Sequence, residues 1–267
     1  MCSPSCNDVF RRDTQVRKEL LVLLTLLGLL AASLAQLGFF DLARLERGAR
    51  NLLEFSRGMV PPDLGILPLA GRALLETLQM AFVGTTLGFL LALPLGILGT
   101  RILFPRTVVV PARLLMAGIR TIPSLLWAVL LVIVVGLGPL AGTLALAAYT
   151  VGYLGKLYAE FFDGVDPEVI EAVRGAGASR LHLARFVLWP ESANSVLSQL
   201  LFMFEYNIRV SSILGFVGAG GIGFYMYVYV NSLEYQRLAT LLALIFLLVL
   251  GMDLASAWLR RRYLLRT

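Results

Sequence analysis

The stretch GFVGAGGIGF, residues 215–224, places Gly218, Gly220 and Gly223 in the spacing G-x-G-x-x-G. That spacing can cradle a dinucleotide pyrophosphate, but only behind a buried strand, at the opening of a helix, with an acidic residue about 20 positions on. Here apolar segments flank the glycines, no strand precedes them and Glu234 comes too early, so the dinucleotide reading is rejected. Glycines this dense, Gly221 included, break a helix instead. Broken backbone is tolerated at membrane depth where protein or a water-filled cavity shields it. Two roles stay open for it: close packing, or a nest of N–H groups that holds an oxyanion.

Glu205 and Arg209 stand four residues apart in FEYNIR, inside an apolar run. A lone Arg at mid-bilayer costs roughly 2.5 to 3.5 kcal/mol on insertion scales, so this one must face protein or water. Either the two side chains neutralise each other as an i, i+4 pair, or they line a path. In the second case Arg209 offers forked donors to a tetrahedral oxyanion and Glu205 holds it in place. Asn207 points to another side of the helix, where it can bond across a subunit interface. Lys156 and Arg120 are the other cations expected within the spans. Lys156 is long enough to snorkel toward the cytoplasm, and Arg120 sits close enough to a membrane face to anchor there. The single histidine, His182, has no Cys or second His beside it, and both cysteines, Cys2 and Cys6, precede the first apolar run. No disulfide framework or metal cluster is therefore expected, and the cysteines read as reduced and incidental.

A third constellation lies in the polar stretch DPEVIEAVRGAGASRLHLARFVLWPES. Asp166 is a good N-cap with Pro167 at the first helical position, and Gly175 and Gly177 stop that helix. Ser179 can cap a second helix running toward Trp189, where Pro190 is expected to end it. Glu171, Ala172, Gly177, Val187 and Pro190 fall at the spacing E-A-A-x3-G-x9-I-x-L-P, with Val173 for the third position and Trp189 for Leu. This resembles the loop of ABC-importer permeases that docks on the ATPase. The segments LLETLQMAFVGTTLGFLLALPLGILG, RTIPSLLWAVLLVIVVGLGPLAGTLALAAYTVGYLGKLYAEFFD and FEYNIRVSSILGFVGAGGIG narrow the resemblance to the phosphonate-importer branch. It extends from Pro61 to the last apolar run, while the first 60 residues carry no such resemblance.

The resemblance implies a type I ABC importer permease fold and a translocation subunit rather than an enzyme. It places Glu168, Glu171, Ala172, Gly177, Arg180 and Pro190 at the ATPase-docking surface, and the glycine segment beside the external gate. It further implies a second copy of the chain, two ATP-binding subunits and an extracytoplasmic substrate-binding protein. The solute would be phosphonate or a related oxyanion, phosphate or phosphite. No cofactor is expected in this chain. GYLGKL lacks the spacing and the Ser or Thr of a Walker A loop, so ATP and Mg belong to the partner ATPase.

These residues must be positioned by a membrane scaffold. The chain has 267 residues, 58% hydrophobic and only 15% charged, with a mean hydropathy of +0.80. Apolar runs at residues 20–40, 74–99, 122–138, 140–161, 195–229 (broken) and 238–258 predict an all-α, polytopic membrane protein with about six transmembrane helices. The net charge of +6 comes without the interleaved aromatic and basic surface that a nucleic-acid platform needs. Arg101, Arg106 and Arg113, then Arg174, Arg180 and Arg185, and the terminal Arg260, Arg261, Arg262 and Arg266 share one side with the N-terminal Arg11, Arg12, Arg17 and Lys18. That side is cytoplasmic by the positive-inside rule, with both termini on it, as expected for a multi-pass protein of a bacterial inner membrane.

Residues 1–60 are expected to hold a tail, a first span that fits a retained signal anchor better than a cleaved signal, and an external amphipathic segment. Residues 61–267 form the permease core, with the docking loop at 162–192. An ion-coupled secondary transporter is a second reading, but only one broken span is visible and the docking loop would be unexplained. An intramembrane enzyme would need a nucleophile with its base or a metal set, and the spans offer neither.

Overall fold

The computed structural model describes residues 6–264. Cys2 and Arg266, and the side chains of Cys6, Arg11 and Arg12, lie outside what is described. Among the described residues there are eleven α-helices and no strand. The chain divides into two compact units, 1–57 and 58–267.

In the first unit, α1 (Cys6–Gln36) presents exposed leucines from Leu20 to Leu30, and its segment Arg17–Gln36 is long and apolar enough to cross a membrane. Helix α2 (Leu42–Gly58) is amphipathic, and Arg50 pairs with Glu46 one turn earlier at 2.8 Å.

The second unit is built around two parallel helices, α3 (Leu67–Leu98) and α6 (Pro139–Asp163). Glycine decides how close they come. A Cβ on Gly84 would lie 2.8 Å from Leu146 Cβ, one on Gly88 2.4 Å from Thr150 Cβ, and one on Gly96 2.8 Å from Tyr158 Cβ. Small residues at every fourth position are how helices pack in lipid, where no hydrophobic force drives them together. Helix α4 (Arg106–Thr121) approaches another side of α6, with its Met116 and Arg120 backbone against Gly152. Pro123 then interrupts the helix, and α5 (Ser124–Val135) leaves at 86°. The apolar run at 122–138 is thus a 12-residue helix about 18 Å long. It is too short to span alone and works in tandem with α4.

Two short helices, α7 (Pro167–Gly175) and α8 (Arg180–Leu183), precede α9 (Trp189–Leu214), which runs back antiparallel to α6. Helix α10 (Gly221–Asn231) follows the glycine break, and α11 (Tyr235–Leu259) returns alongside α9. Among the described residues, four helical runs are long and apolar enough to span, or five with the bent α4–α5 pair. Helix α6 falls short of that apolarity through its Gly, Thr, Tyr and Lys residues, and it is the helix that other protein surrounds most. Its sides are shielded, so it has less need of Leu.

Candidate functional site

The docking loop forms from local capping chemistry. The Asp166 carboxylate accepts the Glu168 N–H at 2.9 Å, Pro167 opens α7, and Gly177 adopts φ +81, a left-handed turn that most side chains resist. Ser179 then caps α8 by accepting the His182 N–H. Ile170 on one face of α7 is buried, in a cluster with Leu183, Val187 and Leu188 against Leu154, Tyr158 and Phe162 of α6. Glu168, Glu171, Ala172, Gly177, Arg180 and Pro190 are all exposed. Arg174 donates to the Ile102 carbonyl at 2.9 Å, and Arg180 lies 5.9 Å over the Phe104 ring. Both contacts tie the loop to the elbow between α3 and α4.

Pro190 does not end the second helix. A π-helical turn at Ala184–Leu188 runs straight into α9, with Pro190 in its first turn. The wider turn absorbs the carbonyl that the proline ring would strike and for which it has no N–H to offer.

Asp163, one turn before α7, gathers the same elbow. It accepts the Thr100 hydroxyl at 2.5 Å and the Arg101 N–H at 2.9 Å, and it pairs with Arg113 at 2.6 Å; Arg113 also donates to the Gly99 carbonyl at 2.8 Å. Asp163, the last residue of α6, thus ties α6 to α4 and to the elbow that follows α3.

At the opposite end of the bundle the glycine segment is closed by backbone contact. Gly218, Gly220 and Gly221 have φ of +83, +82 and +70. Gly138 donates to the Gly218 carbonyl at 2.9 Å, the Gly221 N–H donates to Glu76 Oε1 at 2.8 Å, and the Ile222 N–H to Thr77 Oγ1 at 2.8 Å. The N-terminus of α10 thus holds a carboxylate and a hydroxyl from α3, and the geometry supports packing over an open anion nest. A Cβ on Gly220 would lie 2.7 Å from Glu76 Oε1, and one on Gly223 1.8 Å from the Ser212 carbonyl oxygen.

The charges of α9 find partners on α11 and on Arg260, which follows its last residue. Glu205, 6% exposed, meets Arg260 at 3.4 Å, and Arg209 meets Asp253 at 3.4 Å. The i, i+4 pairing of Glu205 with Arg209 is thereby replaced by two rungs between antiparallel helices. Asn207 is fully buried and donates to Thr85 at 2.8 Å and Thr150 at 3.0 Å, so it bonds inside the chain, joining α9 to α3 and α6. Lys156 is half-exposed and pairs with Glu160 at 3.4 Å, beside a groove of about 290 Å³ that Arg113 also lines. Arg120 is exposed at the end of α4.

The description "binding-protein-dependent transport system inner membrane component" belongs to a family whose pattern matches residues 84–264, from the middle of α3 through α11. The chain belongs to this family. The permease is also 32% identical to the phosphite transport system permease protein PtxC of Stutzerimonas stutzeri over 85% of its own length and 82% of that protein. It is 35% identical to the phosphate-import permease protein PhnE of Mycolicibacterium smegmatis over 76% of this chain, and spans 39% of that longer relative. Among solved structures, an inward-facing form of the MetNI methionine ABC transporter superposes with a TM-score of 0.67 at 25% identity, covering 74% of this chain and 98% of that one. The permease is thus a multi-pass translocation subunit of a bacterial ABC importer in the inner membrane, not an enzyme, and it works with a separate ATPase and a substrate-binding protein.

Sequence reasoning missed Glu76, Asp163 and Asp253. A signal existed for Glu76 and Asp253, since each is an ionisable side chain within an apolar run and such residues call for a named partner.

Proposed function

We propose that this permease carries a phosphorus oxyanion (phosphonate, phosphite or phosphate) inward, driven by ATP hydrolysis on a partner chain. The similarity to a phosphite permease across most of both chains supports the substrate class. The capped, outward-facing α7 supports the coupling to an ATPase. Two copies of the chain, embedded in lipid, pair with two ATP-binding subunits that hold ATP and Mg, and with an extracytoplasmic binding protein. Uptake of radiolabelled phosphite by the reconstituted complex tests the substrate class. Methylphosphonate is expected to compete and methionine and choline are not; competition by choline alone would contradict it.

The docking role of Glu168, Glu171, Ala172, Gly177, Arg180 and Pro190 belongs to the same proposal. A Cβ on Gly177 meets nothing in this chain, so a substitution acts through the left-handed turn or through the partner's surface. Gly177→Asn, which tolerates that turn, is expected to keep ATPase association, while Gly177→Trp loses it by about tenfold or more with the permease still folded. Full association of the Trp variant, read by co-purification, would count against docking.

The proposed topology puts both termini in the cytoplasm and residues 41–72 outside. Cysteine placed at Ser56 is expected to react with an impermeant maleimide from outside, and cysteine at Ser179 only after the membrane is opened. The reverse pattern would overturn the orientation.

A further inference from the structure

Arg120 stands where α4 breaks into α5. Its backbone nitrogen lies against α6, 2.9 Å from the place that a Cβ on Gly152 would take. Gly152 is about half-way along the 25-residue α6, about 16 Å from the Asp163 end. The chain is held open beside it: Ile122 is extended, Pro123 offers no N–H, and α5 leaves at 86°. The Trp127 indole N–H donates to the Ile119 carbonyl at 3.1 Å, so a neighbour already satisfies one of the acceptors that the break frees.

The other cations half-way along these helices are held by carboxylates. Arg113 pairs with Asp163 at 2.6 Å, Lys156 with Glu160 at 3.4 Å and Arg209 with Asp253 at 3.4 Å. The Arg120 side chain is exposed, and among the described residues no hydrogen bond, ion pair or ring contact holds it. Its place in the last turn of α4 is worth about 0.3–1 kcal/mol through the helix dipole. An Arg at mid-bilayer costs roughly 2.5–3.5 kcal/mol on insertion scales, so the dipole does not offset exposure to lipid. An extended arginine is also shorter than the distance to either end of α6, and snorkelling does not rescue it. Arg120 therefore requires water and an anionic partner.

We propose that Arg120 receives the phosphorus oxyanion in mid-membrane, at the break between α4 and α5. This rests on the function proposed above. A guanidinium presents two parallel donors that match two oxygens of a tetrahedral oxyanion, and here no carboxylate of the same chain has to be displaced first. Because the side chain is exposed, the anion keeps part of its hydration, and a pathway site must release what it binds. The contact that the sequence left open for Arg209 passes to Arg120, since Arg209 is already paired.

Arg120→Gln, reconstituted with the ATPase and loaded binding protein, is expected to keep the stimulated rate of ATP hydrolysis and to import phosphite at least about tenfold more slowly, from the loss of charge-assisted hydrogen bonds. Wild-type import by this variant would overturn the contact and leave the importer reading standing. Failure of the wild-type complex to import phosphite or a phosphonate would overturn both. If the variant does not assemble, or loses import and ATP hydrolysis together, a labelling measurement decides. Ala117 is exposed one turn before Arg120 on the same face of α4. In a complex with Cys2 and Cys6 replaced by Ser, Ala117→Cys is expected to react with a small anionic thiosulfonate, and phosphite, but not chloride at equal ionic strength, is expected to slow that reaction severalfold. No reaction, or a rate that phosphite leaves unchanged, would overturn the contact.

Discussion

Gly223→Ala is expected to abolish import and to cost the folded permease about 3 kcal/mol or more. The new methyl carbon would lie 1.8 Å from the Ser212 carbonyl oxygen, backbone against backbone, with Gly215 crossing on the same side. No rotamer change relieves that overlap. The end of α9 and the start of α10 would have to separate, and with them the Glu76 and Thr77 caps on the α10 N-terminus. Gly251→Ala is the matched control, because a Cβ there meets nothing within 4 Å and alanine favours the helix. Thermal unfolding in detergent and import assays read both variants, and a Gly223→Ala protein as stable and active as the control would contradict the packing role.

The second large effect concerns Glu205. Arg260→Met leaves a carboxylate that is 6% exposed without its cation, and orphaning a buried charge costs about 3–5 kcal/mol. Glu205→Gln together with Arg260→Met is expected to recover most of that loss, because removing a buried pair is far milder than removing half of it. The Arg209–Asp253 rung differs in degree: its side chains are 41% and 45% exposed, and a pair so accessible is worth about 0–1 kcal/mol. Asp253→Asn should therefore be tolerated where Arg260→Met is not. Equal losses in Arg260→Met and in the Glu205→Gln, Arg260→Met double variant, measured by denaturant titration, would show that the rung is not what holds Glu205.

How much of this was legible in the sequence follows from the range of each interaction. The caps of α7 and α8 could be read because Asp166, Pro167, Gly177 and Ser179 act on neighbours two or three residues away. The break at residues 215–220 could be read because glycine signals backbone freedom wherever it clusters. Partner choice across helices could not: Arg209 reaches a carboxylate 44 residues on, and the nearer Glu205 was the only candidate visible from spacing. Pro190 misled for a related reason, since the π turn before it is a tertiary accommodation with no residue code of its own. Residues 122–138 read as one full span because their composition is apolar throughout, while Pro123 and the bend to α4 leave a 12-residue helix.

The central claim is that this chain moves a phosphorus oxyanion only when a separate ATPase, seated on α7, drives it. The direct measurement is phosphite accumulation in proteoliposomes containing the purified permease, with and without its ATPase, its loaded binding protein and internal or external ATP. The account predicts accumulation only with all components present and ATP on the α7 side, and none with Gly177→Trp. Accumulation by the permease alone, driven by a sodium or proton gradient and indifferent to ATP, would contradict it.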